Sequence, residues 1–336
     1  MGFTRISFDV TNLCNLNCLH CLRMEKEKVE HLPVEIFEKA VNQGKIYGTQ
    51  CIVFTGGEPF LHPQLMDMID ILVKAGMRYY LVTNGVRTDK IAKLLEDEKR
   101  RKNLDCLSIS LDGATEETND RIRGKGVFRK VMATSAYLKS KGIRFGYKQS
   151  VNKINIDEMD KFVIESLKVG ATYFEFSHMH PTPELVRQGI ILPRDQWDKV
   201  DQQVLRWSKM IKADVGICTG GYLKYKFCQC NALQMLDVHV DCRGNVCVCC
   251  VLPYYPNGDK MKDDPIVAGN LAEVNLWDAH ERLVDIIAGL NKSRIKKIAE
   301  GSFSAIDYYP CIYCMKYFGK FDWIKEVDPN NEWIGG

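Results

Sequence analysis
Three cysteines fall within eight residues, in Thr11-Asn12-Leu13-Cys14-Asn15-Leu16-Asn17-Cys18-Leu19-His20-Cys21. Thiolates on so short a loop can hold three corners of a cubane 4Fe–4S cluster, a group that normally takes four cysteines. A tight set of three with no fourth nearby leaves one iron open to a substrate or cofactor. The same logic separates open catalytic metal sites from closed structural ones. A three-cysteine zinc loop with a remote fourth ligand is the competing reading of this spacing. A second group crowds the C-terminal part: Cys218, Cys228, Cys230, Cys242, Cys247, Cys249 and Cys250, then Cys311-Ile312-Tyr313-Cys314. Cys51 and Cys106 stand apart inside apolar runs and read as buried structural thiols. Disulfide scaffolds belong to small chains in oxidising compartments. Twelve clustered cysteines of fourteen in a 336-residue chain point instead to metal ligation.

Composition narrows the setting. The hydrophobic share of 46% and charged share of 26% are those of ordinary globular chains. A formal charge of +3 is spread without a long basic run, which argues against nucleic acid or an anionic membrane surface as partner. The start, MGFTRISFDV, lacks a signal peptide's apolar stretch, and no apolar run approaches the roughly 20 residues of a membrane span. A soluble, cytoplasmic protein is expected.

The elements that must position these residues follow from periodicity. Short apolar segments at 4–9, 51–55, 79–83, 106–111, 143–150 and 172–177 read as strands. They are rich in Val, Ile, Phe and Tyr and lack strict polar alternation, as expected of strands buried on both faces. Amphipathic segments at 34–47, 65–75, 88–98, 128–141 and 157–169 lie between them; Ile36, Phe37, Ala40 and Val41, for example, share one helical face. Such alternation predicts parallel strands joined by right-handed crossovers. Six units exceed a small doubly wound sheet and fall short of the eight of a closed barrel. The predicted fold is therefore α/β, a partial (β/α)6 TIM-like barrel over residues 1–215 with its active residues at the C-terminal strand ends. A helix near 197–211 ends this part. Over 216–336 the pattern changes to Gly220-Gly221, a β-hairpin of 236–240 and 245–249 around Asp241-Cys242-Arg243-Gly244, a loop with Pro253, Pro256, Asn257 and Gly258, and a helix near 276–290.

Cys-x-x-x-Cys-x-x-Cys directly after the first strand resembles the signature of the radical S-adenosylmethionine superfamily. Further matches follow in order at strand ends: Gly56-Gly57-Glu58-Pro59, Thr83-Asn84-Gly85 and Ser108-Ile109-Ser110-Leu111-Asp112-Gly113. Glycines at 56 and 57 would let a ligand's charged end approach bare backbone, and the resemblance implies that this segment, Glu58 included, binds the methionine ammonium group. Taken alone it also reads as an ordinary turn before a helix. Ser110 and Asp112 can hydrogen-bond ribose hydroxyls or the carboxylate, with Thr83 and Asn84 at the neighbouring strand end; each is equally a polar strand terminus. Arg123 stands where relatives often place an arginine near the cofactor carboxylate, and otherwise is a solvated charge. His20 departs from the family, which commonly has an aromatic or apolar residue there; its backbone would still support adenine. The resemblance implies that S-adenosylmethionine is reductively cleaved at a 4Fe–4S cluster on Cys14, Cys18 and Cys21. The resulting 5′-deoxyadenosyl radical would take hydrogen from an unactivated carbon. A flavodoxin or ferredoxin is the implied electron donor.

Cys230, Gly244, Cys249, Cys311 and Cys314 resemble the twitch domain, the shortened relative of the SPASM domain, as do Ala268-Gly269-Asn270-Leu271 and Leu276-Trp277. The resemblance implies one auxiliary 4Fe–4S cluster on Cys230, Cys249, Cys311 and Cys314, with Cys228 an alternative to Cys230. A zinc ribbon fits two cysteine pairs equally in spacing. Cys218, Cys242 and Cys247 read as packed thiols. Cys250 occupies a position that faces substrate in relatives, where a thiol could return hydrogen to a substrate radical; its bland alternative is an inert packed thiol. Three activities remain: an epimerase with Cys250 as donor, a dehydrogenase whose auxiliary cluster accepts the second electron, and a peptide cross-linking enzyme. Substrates of these classes are sugar-like molecules, aminocyclitols or peptides. A non-catalytic iron–sulfur or zinc scaffold is the alternative of another class. The first strand begins almost at residue 1, which leaves no room for a preceding leader-binding module and disfavours cross-linking.

Overall fold
A computed structural model describes residues 3–22, 28–217, 230–255 and 264–329; Cys218, Gly220, Gly221, Cys228, Pro256, Asn257 and Gly258 lie outside them. The chain alternates β1 (Arg5–Thr11), α1 (Val34–Ile46), β2 (Cys51–Gly56), α2 (Leu65–Ala75), β3 (Arg78–Thr83), α3 (Thr88–Glu96), α4 (Glu98–Asn103) and β4 (Leu104–Ser110). It continues through α5 (Glu116–Arg123), α6 (Val127–Ser140), β5 (Phe145–Val151), α7 (Met159–Val169), β6 (Tyr173–His178), α8 (Pro183–Arg187), α9 (Arg194–Met210) and β7 (Asp214–Ile217). The remainder is β8 (Asp237–Val240), β9 (Asn245–Cys247), β10 (Val267–Asn270), α10 (Leu276–Ala299), α11 (Pro310–Tyr317) and α12 (Ile324–Val327).

All ten strands form one sheet in the order β10-β9-β8-β1-β2-β3-β4-β5-β6-β7. Pairings from β8 through β7 are parallel, and β9 and β10 add antiparallel. The expected partial barrel is present with two more parallel strands than the six predicted. β7 extends the β6 edge. β8, expected only as the first arm of a hairpin, also pairs with β1. With β7 and β10 as its outer strands, the barrel stays open. The predicted boundary near residue 215 falls inside β7.

The strands also alternate more than predicted. Ile6, Phe8, Ile52, Phe54, Tyr79, Leu81, Ile109, Tyr147, Phe174 and Phe176 are buried, forming the core with the helices. Their neighbours Ser7, Thr55, Tyr80, Lys148, Ser150 and Glu175 are only partly buried and turn to the other face. That face is the polar lumen of the barrel. Gly146 lets Tyr173 pack against β5: a Cβ there would lie 2.2 Å from the Tyr173 carbonyl oxygen and 2.6 Å from its ring. α10 runs well beyond its predicted end, because the buried Leu290 stripe continues through Arg294, whose guanidinium stacks on Phe303 (4.9 Å) and Tyr313 (5.0 Å). Among the described residues no helix is long and apolar enough to cross a membrane.

Candidate active site
The first cysteine loop leaves β1 at Thr11 and is clamped from below by β2. Gly57 N–H donates to the Thr11 carbonyl (2.7 Å) and Glu58 N–H to the Leu13 carbonyl (2.8 Å). A Cβ on Gly57 would sit 2.1 Å from the Leu13 oxygen, and one on Gly56 2.5 Å from the Thr11 oxygen; Gly56 also has φ +120°. These glycines are thus required by contact between two stretches of backbone, where the sequence suggested the approach of a ligand. Cys21 N–H closes on the Cys18 carbonyl (3.0 Å), and Leu19 N–H reaches Ile122 of α5 (2.8 Å).

Glu58 is fully buried and ties three strand ends together. Its carboxylate accepts from Thr83 Oγ1 (2.8 Å), Asn84 N–H (2.7 Å) and Phe60 N–H (3.2 Å). Burial outweighs those donors and lifts its pKa to about 7. Asn84 Nδ2 then bonds Asn15 Oδ1 (2.8 Å) and approaches the Cys14 sulfur (3.9 Å). The motif at 56–58 therefore braces the cysteine loop through backbone, and that at 83–84 through the Asn84 side chain, which Glu58 helps to fix.

Asp112 is likewise committed. It is fully buried, one oxygen taking Ser150 N–H (2.7 Å) and the other lying 2.6 Å from Arg123 Nε and 3.7 Å from His20 Nδ1. The Arg123 contact is an ion pair without the alignment of a hydrogen bond. Arg123 is buried, not solvated, and its Nη1 lies 3.8 Å from the Cys18 sulfur. Burial pushes the Cys18 thiol up to about 11, while Arg123 pulls it back; Cys14 and Cys21 stand within electrostatic reach of the same thiol. Three thiols on one loop beside a buried cation fit a cluster bound as thiolates. Ser110 ends β4 partly exposed. Across the mouth, His20 Nδ1 and His180 Nδ1 are buried without a hydrogen-bond partner. Burial lowers both rings' pKa, that of His180 to about 4. Orphaned buried imidazole nitrogens fit the presence of a polar ligand.

Below the mouth the lumen holds two polar groups that sequence reading missed. Glu175 accepts from Lys148 (3.1 Å), Tyr80 (3.4 Å) and the Tyr173 hydroxyl. On the opposite strands Ser7 Oγ lies 2.9 Å from His239 Nδ1, His239 Nε2 lies 3.4 Å from Asp9 Oδ2, and the Tyr254 hydroxyl meets Asp9. The signal was present in the alternation of Ile6-Ser7-Phe8-Asp9-Val10 and Tyr173-Phe174-Glu175-Phe176-Ser177.

The later cysteines gather at one place. Cys311 has Cys230, Cys249, Cys314 and Cys250 as electrostatic neighbours, and burial raises its pKa well above the thiol range. Burial also pushes Cys249 up to about 11, against the backbone N–H groups of Leu252 and Val251 turned on its sulfur; those of Leu233 and Ala232 do the same at Cys230. Four convergent thiols, two already served by backbone donors, fit an iron–sulfur group. Among the described residues no three Cys, His, Asp or Glu side chains close on a point fit for a single metal ion. β9 ends at Cys247, so Cys249 and Cys250 follow the strand; strand alternation does not set their directions. Cys242 and Cys247 are buried thiols raised by burial, as predicted for packed residues.

Solved structures share the fold. SuiB of Streptococcus suis bound to S-adenosylmethionine superposes with TM-score 0.61 at 14% identity, over 79% of this chain and 67% of that one. The enzyme anSMEcpe with bound AdoMet gives 0.62 at 16%, over 86% and 83%. Among curated proteins, an AdoMet-dependent heme synthase of Methanosarcina barkeri is 28% identical over 206 residues, 60% of this chain and 56% of the relative. The PqqA peptide cyclase of Ruegeria pomeroyi is 28% identical over 170 residues, 50% of this chain and 45% of the relative. The chain spans about half the length of these relatives. Residues 8–188, more than half of the 336, match the family described as the Radical SAM superfamily, and with the three-cysteine loop at the mouth of an open parallel barrel, the chain belongs to that superfamily.

Proposed function
We propose that the chain oxidises a carbon of a peptide substrate, with Cys14, Cys18 and Cys21 holding the cluster that binds S-adenosylmethionine and Cys230, Cys249, Cys311 and Cys314 holding an auxiliary 4Fe–4S cluster. When bound, the first pair supplies a 5′-deoxyadenosyl radical that takes hydrogen from carbon, and the auxiliary cluster supplies a one-electron acceptor. Arg123 and Asp112 hold Cys18 in a charge-compensated setting, and the Glu58–Thr83–Asn84 network fixes the loop that carries Cys14. Asp9 Oδ2, beside His239 Nε2 and the Tyr254 hydroxyl, is the atom placed to hold a proton released into the lumen.

One observation carries the oxidative reading. The segment directly after Cys249 and Cys250 enters the lumen: Tyr254 touches Asp9, and the adjacent Tyr255 turns to Cys311 and Cys249. Substrate in the lumen is therefore next to the auxiliary cysteines. A peptide substrate is supported by relatives and neighbours: the PqqA peptide cyclase, SuiB bound to precursor peptide SuiA, and anSMEcpe with a Kp18Cys peptide. A cytoplasmic setting with flavodoxin or ferredoxin as donor suits this chemistry. Epimerisation is the second reading, supported by the partly exposed Cys250 in the same segment. Anaerobic reconstitution with S-adenosylmethionine, dithionite and candidate precursor peptides separates the two. Loss of two hydrogens from the peptide is expected; solvent deuterium gained without loss of mass would overturn oxidation in favour of epimerisation.

A further inference from the structure
We propose that the Tyr255 hydroxyl donates a hydrogen bond to a sulfur of the auxiliary centre on the Cys249–Cys311 side and raises its reduction potential, so that it accepts the substrate's electron. This assignment rests on the reading that Cys230, Cys249, Cys311 and Cys314 hold a 4Fe–4S cluster.

Four tyrosines rank among the largest fully buried side chains: Tyr79, Tyr147, Tyr255 and Tyr313. Three have a partner for the hydroxyl. Tyr79 donates to the Arg100 carbonyl (2.8 Å), Tyr147 pairs with Ser135 (2.6 Å) and Tyr313 with Ser293 (3.2 Å). The Tyr255 hydroxyl is buried without one. A buried hydroxyl with nothing to bond is costly where phenylalanine would fill the same space, so its retention points to a partner from outside the polypeptide. The ionisable groups that face it are Cys311 and Cys249, and a phenol hydroxyl is a hydrogen-bond donor. Tyr309, also buried, lies on the same side, within reach of both Tyr255 and Cys311.

The nearest groups around the sulfurs are mostly donors. Backbone N–H groups of Leu252 and Val251 face the Cys249 sulfur, and those of Leu233 and Ala232 the Cys230 sulfur. The Arg294 guanidinium, lying over the Phe303 and Tyr313 rings, acts on Cys314, and the Lys320 ammonium, itself paired with Asp264 (2.6 Å), acts on Cys249. Donors and positive charge around a cluster favour its more negative, reduced state and so raise its potential. Tyr255 would add a side-chain donor, next in the chain to Tyr254, which touches Asp9.

The test is potentiometric titration of the reconstituted full chain, followed by electron paramagnetic resonance, for wild type and Tyr255→Phe. Iron and sulfide should account for two 4Fe–4S clusters in both, with the auxiliary midpoint of Tyr255→Phe moved to more negative potential and the other cluster's unmoved. Loss of the second cluster from Tyr255→Phe alone would also support the contact, since the ring's shape is kept and only the hydroxyl is gone. Two clusters with unchanged midpoints would overturn the assignment and leave the auxiliary reading standing. A single cluster in wild type would overturn both.

Discussion
Gly57→Ala tests whether the cysteine loop is positioned by backbone contact. The new Cβ would stand 2.1 Å from the Leu13 oxygen and 2.6 Å from its carbon. A carbon–oxygen contact needs roughly 3.3 Å, so the loop must retreat by about 1 Å. Retreat breaks the bonds from Gly57 N–H to Thr11 and Glu58 N–H to Leu13 (2.7 and 2.8 Å). At about 1 kcal/mol each, with about 1–3 kcal/mol for overpacking, the substitution should destabilise the chain by roughly 3–5 kcal/mol. A typical domain survives that loss. The cluster does not, because Cys14 adjoins Leu13 and a displacement of about 1 Å at a reacting centre is worth roughly 100-fold in rate. Iron and sulfide content, 5′-deoxyadenosine yield and urea midpoints should show a folded chain that has lost one cluster and cofactor cleavage. Gly216→Ala, where a Cβ meets nothing within 4 Å, should be neutral. Full cluster content and wild-type 5′-deoxyadenosine from Gly57→Ala would refute the backbone-contact account.

Glu58 gives a pH signature. Its pKa in the fold, about 7, lies above the ordinary 4.5, so the folded chain holds the proton more tightly. Its contribution is fully present below pH 4.5 and lost as pH rises to 7, roughly 3 kcal/mol in all. Glu58→Gln should remove that part of the slope in urea midpoints of the cluster-free chain; parallel profiles would count against it. Asp112→Asn leaves Arg123 buried and uncompensated and should cost about 3–5 kcal/mol in denaturant titration, with Asp112→Asn/Arg123→Met recovering part of it. Cys250→Ala should keep both clusters, 5′-deoxyadenosine formation and the oxidised product; 5′-deoxyadenosine without product would move the hydrogen-donor role to first place.

The barrel strands were legible because their helix-facing residues are continuous in type: Phe8, Phe54, Leu81, Ile109, Tyr147 and Phe174 all lie in apolar cover. The three-cysteine loop was legible from spacing alone. The lumen was hidden by the same apolar content, since Ser7 and Glu175 each stand singly between large hydrophobic residues and look like interruptions. The bracing roles of Glu58 and Asp112 could not be read from a strand-end position, which says where a carboxylate sits and not which donors reach it. β7 is four residues long, too short for periodicity to register, and β8 was legible as a hairpin arm while nothing local signalled its pairing with β1. Arg294 lengthened α10 through stacking on Phe303 and Tyr313, contacts that only the packed chain reveals.

The pairing of β8 with β1 changes how the two cysteine groups relate. Arg5↔Asp237 through Phe8↔Val240 fix the register. On one face Ile6, Phe8, Val238 and Val240 are buried, and on the other Ser7 meets His239. A slip of one residue would turn the polar set into the apolar core and the apolar set into the lumen, so the register is strongly specified. Cys14 follows the end of β1 by three residues, and Cys249 follows β9, the antiparallel partner of β8, by two. The segments that carry Cys14 and Cys249 thus both leave one stretch of sheet, and the register of β1 on β8 sets where each begins. Substitutions that loosen this register, such as Ser7→Phe, should therefore disturb the Cys14 and Cys249 segments together.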